Sequence, residues 1–208
     1  MAPTYVDELD FGFGWITSDE GFMRRCSHAL ALDGRVWVID PVWDDEAVER
    51  AASLGEPAGV VQLLDRHNRD SARVAERLGV PLHLVPQAPP EGAHFGVQPL
   101  LRNRFWREVA LWLPEQRTLV VAEVVGTAQF YRGPSERLAV SPALRLFPPR
   151  RLLGFEPEHV LVGHGEGVHE DAAAALREAV ERSRSRLLPW LWAGFRAHGP
   201  GGTHRLRS

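Results

Sequence analysis

The sequence predicts a mixed α/β domain, and three local patterns carry that prediction. The dipeptide Asp33-Gly34 separates two short apolar runs, which is the strongest short-range hairpin signal. A strand, a helix and a second strand follow one another across residues 59–85, which is typical of a parallel unit covered by helices. Residues 95–124 contain three further strands in quick succession, as in an antiparallel or mixed sheet.

The N-terminal part is predicted to contain one strand followed by a hairpin and a helix. Strands are predicted over residues 11–16, 27–32 and 35–39. The last of them ends at Asp40, because Pro41 cannot continue the hydrogen-bonding ladder. Asp44 is a suitable N-cap for a helix over residues 46–54, and Gly55 is a suitable stop.

The loop that follows the next strand is the first candidate functional site. Residues 59–64 form an apolar run that predicts a buried strand, and residues 71–78 predict a helix that Gly79 ends. Between them lies the polar segment Asp65-Arg66-His67-Asn68-Arg69-Asp70. In α/β folds, ligands bind at the carboxyl ends of strands, so we expect this segment to line a site.

The remainder of the chain predicts a second group of strands and a long helix. Strands are predicted over residues 81–85, 95–101, 108–113, 118–124 and 159–162. Prolines break residues 127–157 into short pieces, and an alanine-rich helix is predicted over residues 171–187. We therefore predict one domain over residues 1–187 and a partly docked or frayed tail over residues 188–208, docked through Trp190 and Trp192.

Composition excludes several function classes. The chain has 208 residues with 24 basic and 27 acidic side chains, a balance that does not indicate a nucleic-acid binder. There is no lysine, which excludes lysine Schiff-base chemistry and a Gly-Lys-Ser/Thr phosphate loop. The single Cys26 cannot form an internal disulfide. Acidic residues near the N-terminus and the lack of a long apolar run lead us to expect no signal peptide, no membrane span and a cytoplasmic location.

Several short motifs, in order, resemble the metallo-β-lactamase superfamily over about residues 11–184. The run Val36-Trp37-Val38-Ile39-Asp40-Pro41 resembles a strand that ends in that family's first-motif aspartate, and the polar loop that follows stands where its His-x-His-x-Asp-His signature belongs. Residues 109–115 and 119–123 resemble the strands around its third histidine and its bridging aspartate. Val162-Gly163-His164-Gly165 resembles the strand end that supplies the last ligand. The resemblance implies a four-layer αβ/βα sandwich of two mixed sheets with outer helices and, for an active member, a hydrolase.

Most of the metal ligands that the resemblance implies are replaced in this chain. Aligning Asp70 with the signature aspartate puts Arg66 and Asn68 at two histidine positions and Ser71 at a third. Similar replacements follow further along, with Arg104 near the third-motif histidine and Glu123 at the bridging aspartate. His164 matches the last ligand. The implied pocket is therefore lined by Asp40, Arg66, Asn68, Asp70, Ser71, Arg104, Glu123 and His164.

The replacements leave three hypotheses open. Because a guanidinium group has no lone pair for a metal, Arg66 and Arg104 lead us to expect no metal ion, with the two cations neutralising Asp70, Glu123 and Asp40 in a pocket for an anionic small molecule. The alternative is a hydrolase of an ester, thioester or phosphoester, with a single divalent ion on Asp70, Glu123 and His164. In both hypotheses, His67 is expected to be an exposed loop residue. The third hypothesis is a non-enzymatic interaction module that binds a partner through its arginine-rich tail or its aromatic segments.

Overall fold

A computed structural model describes residues 2–17, 23–67 and 69–198, with side chains to residue 192. The first half of the chain forms β1 (Thr4–Leu9), β2 (Gly12–Ile16), β3 (Cys26–Leu32), β4 (Arg35–Ile39), α1 (Asp45–Ser53), β5 (Glu56–Gln62), α2 (Ser71–Leu78) and β6 (Leu82–Leu84). The second half forms β7 (Gly96–Asn103), β8 (Trp106–Leu113), β9 (Thr118–Val121), β10 (Val125–Gly126), β11 (Ala139–Val140), β12 (His159–Val162), α3 (Ala172–Glu181) and α4 (Leu187–His198).

Two mixed sheets organise the fold. The first has the order β1-β2-β3-β4-β5-β6, antiparallel as far as β4 and parallel from β4 to β6. The second has the order β12-β9-β8-β7, in which β12 and β9 are parallel and the other pairs antiparallel. A short β10-β11 ribbon follows β9. The mixed fold with two sheets is the architecture predicted from the sequence.

Alternating side chains divide the apolar residues into three layers. Trp37 and Ile39 of β4 point into the core between the sheets, where they join residues of β8 and β9 such as Leu111 and Val120. The other face of the first sheet packs on α1 and α2 through residues that include Val36, Val38, Ala47, Val48, Val74 and Ala75. The other face of the second sheet packs on α3 through residues that include Leu119, Val121, Val160, Ala175, Leu176 and Ala179. The result is the expected order of helix, sheet, sheet and helix.

The element boundaries differ from the sequence prediction most clearly in three places. Strand β1 had not been predicted, and its pairing with β2 shifts register between Val6 and Leu9. Strand β9 ends at Val121, three residues earlier than predicted. The long predicted helix is two helices, because α3 ends at Glu181 and α4 begins at Leu187. The proline-rich residues 127–157 form β11 and the 3-10 helices Pro142–Leu144 and Arg150–Gly154, in agreement with the short pieces expected.

The C-terminal helix α4 contacts the body of the domain through Trp190. The indole Nε1 of Trp190 donates a hydrogen bond of 2.9 Å to the carbonyl of Phe130. Trp192, which was also expected to dock, is 66% exposed. Within the described residues, the structure contains no helix with the length and apolar character needed to cross a membrane.

Candidate metal site

Four strands end at one edge between the two sheets and bring four polar side chains together. Asp40 follows β4, His67 lies in the loop after β5, Glu123 lies just beyond β9, and His164 lies just beyond β12. Strands β4 and β5 are parallel, and so are β9 and β12, so the carboxyl ends of each pair lie at the same edge of its sheet. The fold therefore positions these residues even though they are far apart in sequence.

Two imidazole groups and one carboxylate converge at this edge, and we call His67, Glu123 and His164 the His67 cluster. The Nε2 atom of His67 lies 4.0 Å from Oε1 of Glu123, and Nε2 of His164 lies 3.8 Å from the same oxygen. The two imidazole rings meet edge to face at 5.7 Å. One ligand atom from each of the three residues lies within 4.8 Å of the others, which is compatible with a common metal ion.

The tautomer of His164 is fixed by a backbone carbonyl. Its Nδ1 lies 3.0 Å from the carbonyl oxygen of Met23, which can only accept, so Nδ1 carries the proton. Its ring stacks on Tyr131 at 5.6 Å. Burial, and then the positive charge of Arg69, lower the pKa of His164 to about 3. The imidazole is therefore neutral, and its buried Nε2 faces Glu123 with no hydrogen-bond partner in the described part of the chain.

The buried carboxylate of Asp40 lies next to His67. Its Nδ1 lies 3.2 Å from Oδ2 of Asp40, whose Oδ1 accepts a hydrogen bond from the Leu63 N–H. Burial, and then the charge of Arg69, lower the pKa of His67. Burial would raise the pKa of Asp40, but the neighbouring His67 and Arg69 outweigh it and lower that pKa. With its proton on Nδ1, towards Asp40, His67 would direct the lone pair of Nε2 towards Glu123.

Arg66 occupies the solvent side of the His67 cluster. Its Nη2 donates to Oε2 of Glu123 at 2.8 Å, and its Nη1 donates to the carbonyl of Phe105 at 3.2 Å. The guanidinium carbon lies 3.9 Å from the centre of the Trp106 ring. The side chains of Arg66 and Glu123 are 44% and 19% exposed, so the cluster reaches solvent here. The other Glu123 oxygen, Oε1, faces the imidazoles.

Glu108 fixes the backbone that carries Glu123. Its fully buried carboxylate accepts through Oε1 from the N–H groups of Ala122, Glu123 and Val124 at 3.1, 2.8 and 3.1 Å. Its Oε2 accepts from the indole of Trp106 at 2.8 Å. Burial raises the pKa of Glu108 to about 7, against the effect of these donors. One carboxylate thus holds both the turn beneath Glu123 and the ring on which Arg66 lies.

Arg69 joins three strand ends behind the imidazoles. Its Nη1 donates to the carbonyls of Cys26 and Asp40 at 2.6 and 2.9 Å, and its Nη2 donates to the carbonyl of Gly163 at 2.8 Å. These bonds connect β3, β4 and β12 at the edge where the cluster lies. Because a guanidinium stays protonated, Arg69 also keeps a positive charge next to the two histidines.

Two glycines allow the chain to pass close to the site on either side of His164. A Cβ atom at Gly163 would lie 2.5 Å from the carbonyl oxygen of Ala122. Gly165 has a φ of +92°, and a Cβ atom there would lie 2.3 Å from Oγ1 of Thr127. Glycine is therefore required on both sides of His164, because a larger side chain at either position would clash with its neighbours.

Asp70, Ser71 and Arg104 are not members of the His67 cluster. Asp70 accepts a hydrogen bond from the Trp43 N–H at 2.8 Å. Ser71 is buried at the start of α2. Arg104 lies in the exposed turn between β7 and β8, with its guanidinium 4.3 Å from the Phe105 ring. Asn68 lies outside the described residues.

The structure corrects the expectation for His67. This residue was expected to be exposed, but only 7% of it is accessible to solvent. It takes the place beside Glu123 and His164 that the sequence had given to Asp70. Arg69 and Glu108 were not predicted as site residues from the sequence. Two features of the sequence could have indicated them. Arg69 is adjacent to the candidate ligand Asp70, and Glu108 is a charged residue in the otherwise apolar strand predicted over residues 108–113.

The donor set of the His67 cluster fits one divalent transition-metal ion. Two neutral imidazoles and one carboxylate are the ligand set of many zinc and non-haem iron sites. An unpaired buried polar atom is destabilising by about 1–3 kcal/mol, and the two Nε2 atoms would lose that penalty on binding a cation. A carboxylate on the far nitrogen of His67 and a carbonyl on that of His164 are the usual supports of metal-binding histidines.

The chain matches known proteins in structure but not in sequence. No family model matches the sequence, and no curated protein matches it. A metallo-beta-lactamase from Pontibacter korlensis superposes with a TM-score of 0.60 and 12% identity, over 86% of this chain and 99% of that protein. The FIM-1 metallo-beta-lactamase from Pseudomonas aeruginosa, in a mono-zinc form, gives 0.55 and 11%, over 88% and 97%.

A protein of another kind matches as well. The chemotaxis sensor ODP, in a peroxy diiron species, superposes with a TM-score of 0.52 and 12% identity, over 89% of this chain and 99% of that protein. The matched proteins hold zinc in one case and iron in another, so the likeness does not specify a metal or a reaction. At these identities, the superpositions establish the architecture: the chain has the metallo-β-lactamase fold.

Proposed function

We propose that the protein is a hydrolase that binds one divalent transition-metal ion at the His67 cluster and acts on an anionic ester, thioester or phosphoester. The observation that carries the proposal is the convergence of two neutral, unpaired imidazole nitrogens on one oxygen of Glu123. His67, Glu123 and His164 would hold the ion. An ion bound there would supply Lewis-acid activation of water and of the substrate's acyl or phosphoryl oxygen.

The residues around the cluster have separate tasks in this proposal. The Met23 carbonyl keeps the proton of His164 on Nδ1, and Asp40, 3.2 Å from Nδ1 of His67, would do the same for His67. Glu108 holds the turn from which Glu123 projects. These contacts would fix the three donors before a ligand arrives, which limits the reorganisation that binding requires.

Arg66 is the candidate for substrate recognition. Its guanidinium is partly exposed beside Glu123, and one face of it packs on the Trp106 ring. An anionic group on the substrate would form charge-assisted hydrogen bonds with it. The site therefore favours substrates that carry a carboxylate or a phosphate next to the bond to be cleaved.

Metal analysis of purified protein tests the proposal. Protein produced in zinc-supplemented medium should hold one equivalent of metal at the His67 cluster and should hydrolyse anionic aryl ester and phosphodiester probes. His67→Ala and His164→Ala should each remove both that equivalent and the hydrolysis. His94→Ala is the matched control, because that histidine is 47% exposed and far from the cluster in sequence. If His67→Ala and His164→Ala keep the full metal content of the wild type, the proposed site is not the metal site.

A second candidate function is supported by the Arg66–Glu123 ion pair. In it, the pocket binds an anionic small molecule without a metal ion, and Arg66 provides the binding charge. Isothermal titration with oxalate and with inorganic phosphate, in the presence of chelator, tests this alternative. Binding that persists in chelator and is lost in Arg66→Gln would favour it over the hydrolase.

A further inference from the structure

The structure assigns a second metal site, separate from the His67 cluster, to Asp7, Cys26 and His28, which we call the Cys26 cluster. Cys26 and His28 are two residues apart on β3 and therefore point to the same face of the sheet. Asp7 belongs to β1, which is separated from β3 by β2. The three side chains offer a thiolate, an imidazole and a carboxylate, the donors that zinc takes in proteins.

A glycine on the intervening strand allows these side chains to meet. Gly14 of β2 pairs with His28 of β3. A Cβ atom at Gly14 would lie 3.1 Å from Sγ of Cys26 and 3.1 Å from Cδ2 of His28. Such contacts are tighter than those of ordinary packing, so a side chain at this position would crowd both ligands. The missing side chain lets Asp7 reach across β2 to His28.

The separations between donor atoms match those of a tetrahedral site. Nε2 of His28 lies 3.1 Å from Oδ2 of Asp7 and 3.6 Å from Sγ of Cys26, and the three atoms lie within 4.8 Å of one another. Zinc bonds of about 2.0–2.2 Å to nitrogen and oxygen and about 2.3 Å to sulfur imply separations of about 3.4 Å for N···O and about 3.6 Å for N···S. The side chains are therefore already arranged close to coordination geometry.

The backbone and the outer contacts of Asp7 hold its carboxylate in place. Asp7 adopts a φ of 52°, which is unfavourable for a residue other than glycine, within the irregular part of the β1-β2 pairing. Its Oδ1 accepts from the Gly167 N–H at 2.7 Å and lies 2.9 Å from Nε2 of His169. The second oxygen, Oδ2, is thus left for His28 and for an ion, with Oδ1 supported as in many metal sites.

Burial defines the role of this site as structural. The side chains of Asp7 and His28 are each 2% exposed, and Cys26 is fully buried, so no substrate reaches them. A bound ion would connect β1 and β3 and, through Gly167 and His169, the segment that follows His164. The ion would be of the zinc class, would be held by these three side chains and would stabilise the fold.

Cobalt substitution provides a test that does not depend on a variant folding. Cobalt-supplemented minimal medium supplies the ion while the chain folds around this buried site. Because Cys26 is the only cysteine of the chain, a near-ultraviolet thiolate-to-cobalt charge-transfer band in the purified protein reports this site alone. The band is expected in the wild type and in the double variant His67→Ala/His164→Ala, with two metal equivalents in the former and one in the latter.

The same measurement separates the two metal sites. Cys26→Ala should abolish the charge-transfer band, retain one equivalent of metal on the His67 cluster, and unfold at a lower temperature than the wild type when both are loaded with metal. Loss of metal from the His67 variants alone would concern the proposed function and leave the second site intact. A cobalt-loaded wild type without the thiolate band would overturn the inference, and Asp7 and His28 would then be a hydrogen-bonded pair beside a buried thiol.

Discussion

Arg66 and Glu123 form a 2.8 Å ion pair in which the arginine takes one carboxylate oxygen and leaves the other to two imidazoles. The carboxylate of Glu123 thus pairs with the Arg66 guanidinium on one side and belongs to the candidate metal-binding cluster on the other. From the sequence, the arginine was an argument against a metal ion, because it stands where the resemblance implies a histidine. In the structure it lies on the outer side of Glu123 and leaves the inner side available.

Replacement of Arg66 should weaken substrate binding more than metal binding. In Arg66→Gln we expect metal content to stay at the wild-type level, since Glu123 keeps the oxygen that faces the imidazoles. Charged hydrogen bonds contribute about 1.5–3 kcal/mol, so KM for an anionic probe should rise by about ten- to a hundredfold. Steady-state kinetics with anionic and neutral esters of the same leaving group provide the measurement.

Arg104→Gln is the matched control for this variant. Arg104 lies in the exposed turn between β7 and β8, on the Phe105 ring, so its loss should leave both kinetic constants unchanged. An equal rise in KM for the neutral and the anionic ester in Arg66→Gln would contradict the recognition role.

Removal of the charge on Asp40 should weaken metal binding without loss of the fold. Asp40→Asn keeps the shape of the side chain, and asparagine tolerates the φ of 44° found there. The support of Nδ1 of His67 is lost, and such changes typically lower metal affinity by about 10- to 100-fold. Competition with a chromophoric chelator measures this affinity.

Asp33→Asn tests whether the effect belongs to the site. Asp33 also has a positive φ, of 50°, but it lies in the exposed hairpin turn. Its variant should bind metal like the wild type. If Asp40→Asn also keeps wild-type affinity, His67 does not depend on Asp40 for its metal-binding state.

The buried carboxylate of Glu108 should be important for stability. Glu108→Gln places an NH₂ group against either the backbone N–H groups of residues 122–124 or the indole N–H of Trp106. We expect the free energy of unfolding to fall by about 1–3 kcal/mol, as for other buried donors left unpaired. Urea unfolding measures this change, with Glu115→Gln in the exposed β8-β9 turn as the control.

A second readout tests the positioning role of Glu108. Because it holds the turn beneath Glu123, metal affinity of the folded Glu108→Gln protein should also fall. A variant that loses stability but binds metal as tightly as the wild type would limit Glu108 to a structural role.

The metal-free protein should lose stability in mild acid. The pKa of His164 in the folded state is about 3, below its usual value of about 6.5, so the unfolded chain takes up this proton first as the pH falls. The contribution of His164 is therefore fully present above about pH 6.5 and decreases towards pH 3, with a slope of up to about 1.4 kcal/mol per pH unit.

Urea unfolding in chelator, at a series of pH values, tests this dependence. His164→Gln, which does not titrate, should show a shallower decrease with acidification than the wild type. His94→Ala, which removes an exposed histidine, should follow the wild type. Parallel curves for His164→Gln and the wild type would mean that another group causes the acid sensitivity.

Much of the fold follows from local sequence. The Asp33-Gly34 hairpin, the strand-helix-strand unit of β5, α2 and β6, and the succession of β7, β8 and β9 all lie close to their predicted places. Periodic apolar residues and turn residues act over a few positions, so a single sequence reveals them. Strand β1 was missed because the adjacent acids Asp7 and Glu8 interrupt its short apolar run, and its place at the sheet edge depends on β2.

The sequence located Asp40 and His164 at strand ends and Glu123 near one, and the three residues follow β4, β12 and β9 in the structure. Tertiary structure alone decided which loop side chains point inwards. The loop after β5 has no repeating pattern, so tertiary contacts set the directions of its side chains. The Trp43 N–H donates a hydrogen bond to Asp70, and His67 lies against the carboxylate of Asp40. The Cys26 cluster has the same origin, because its donors come from two strands that only the packed sheet brings together across Gly14.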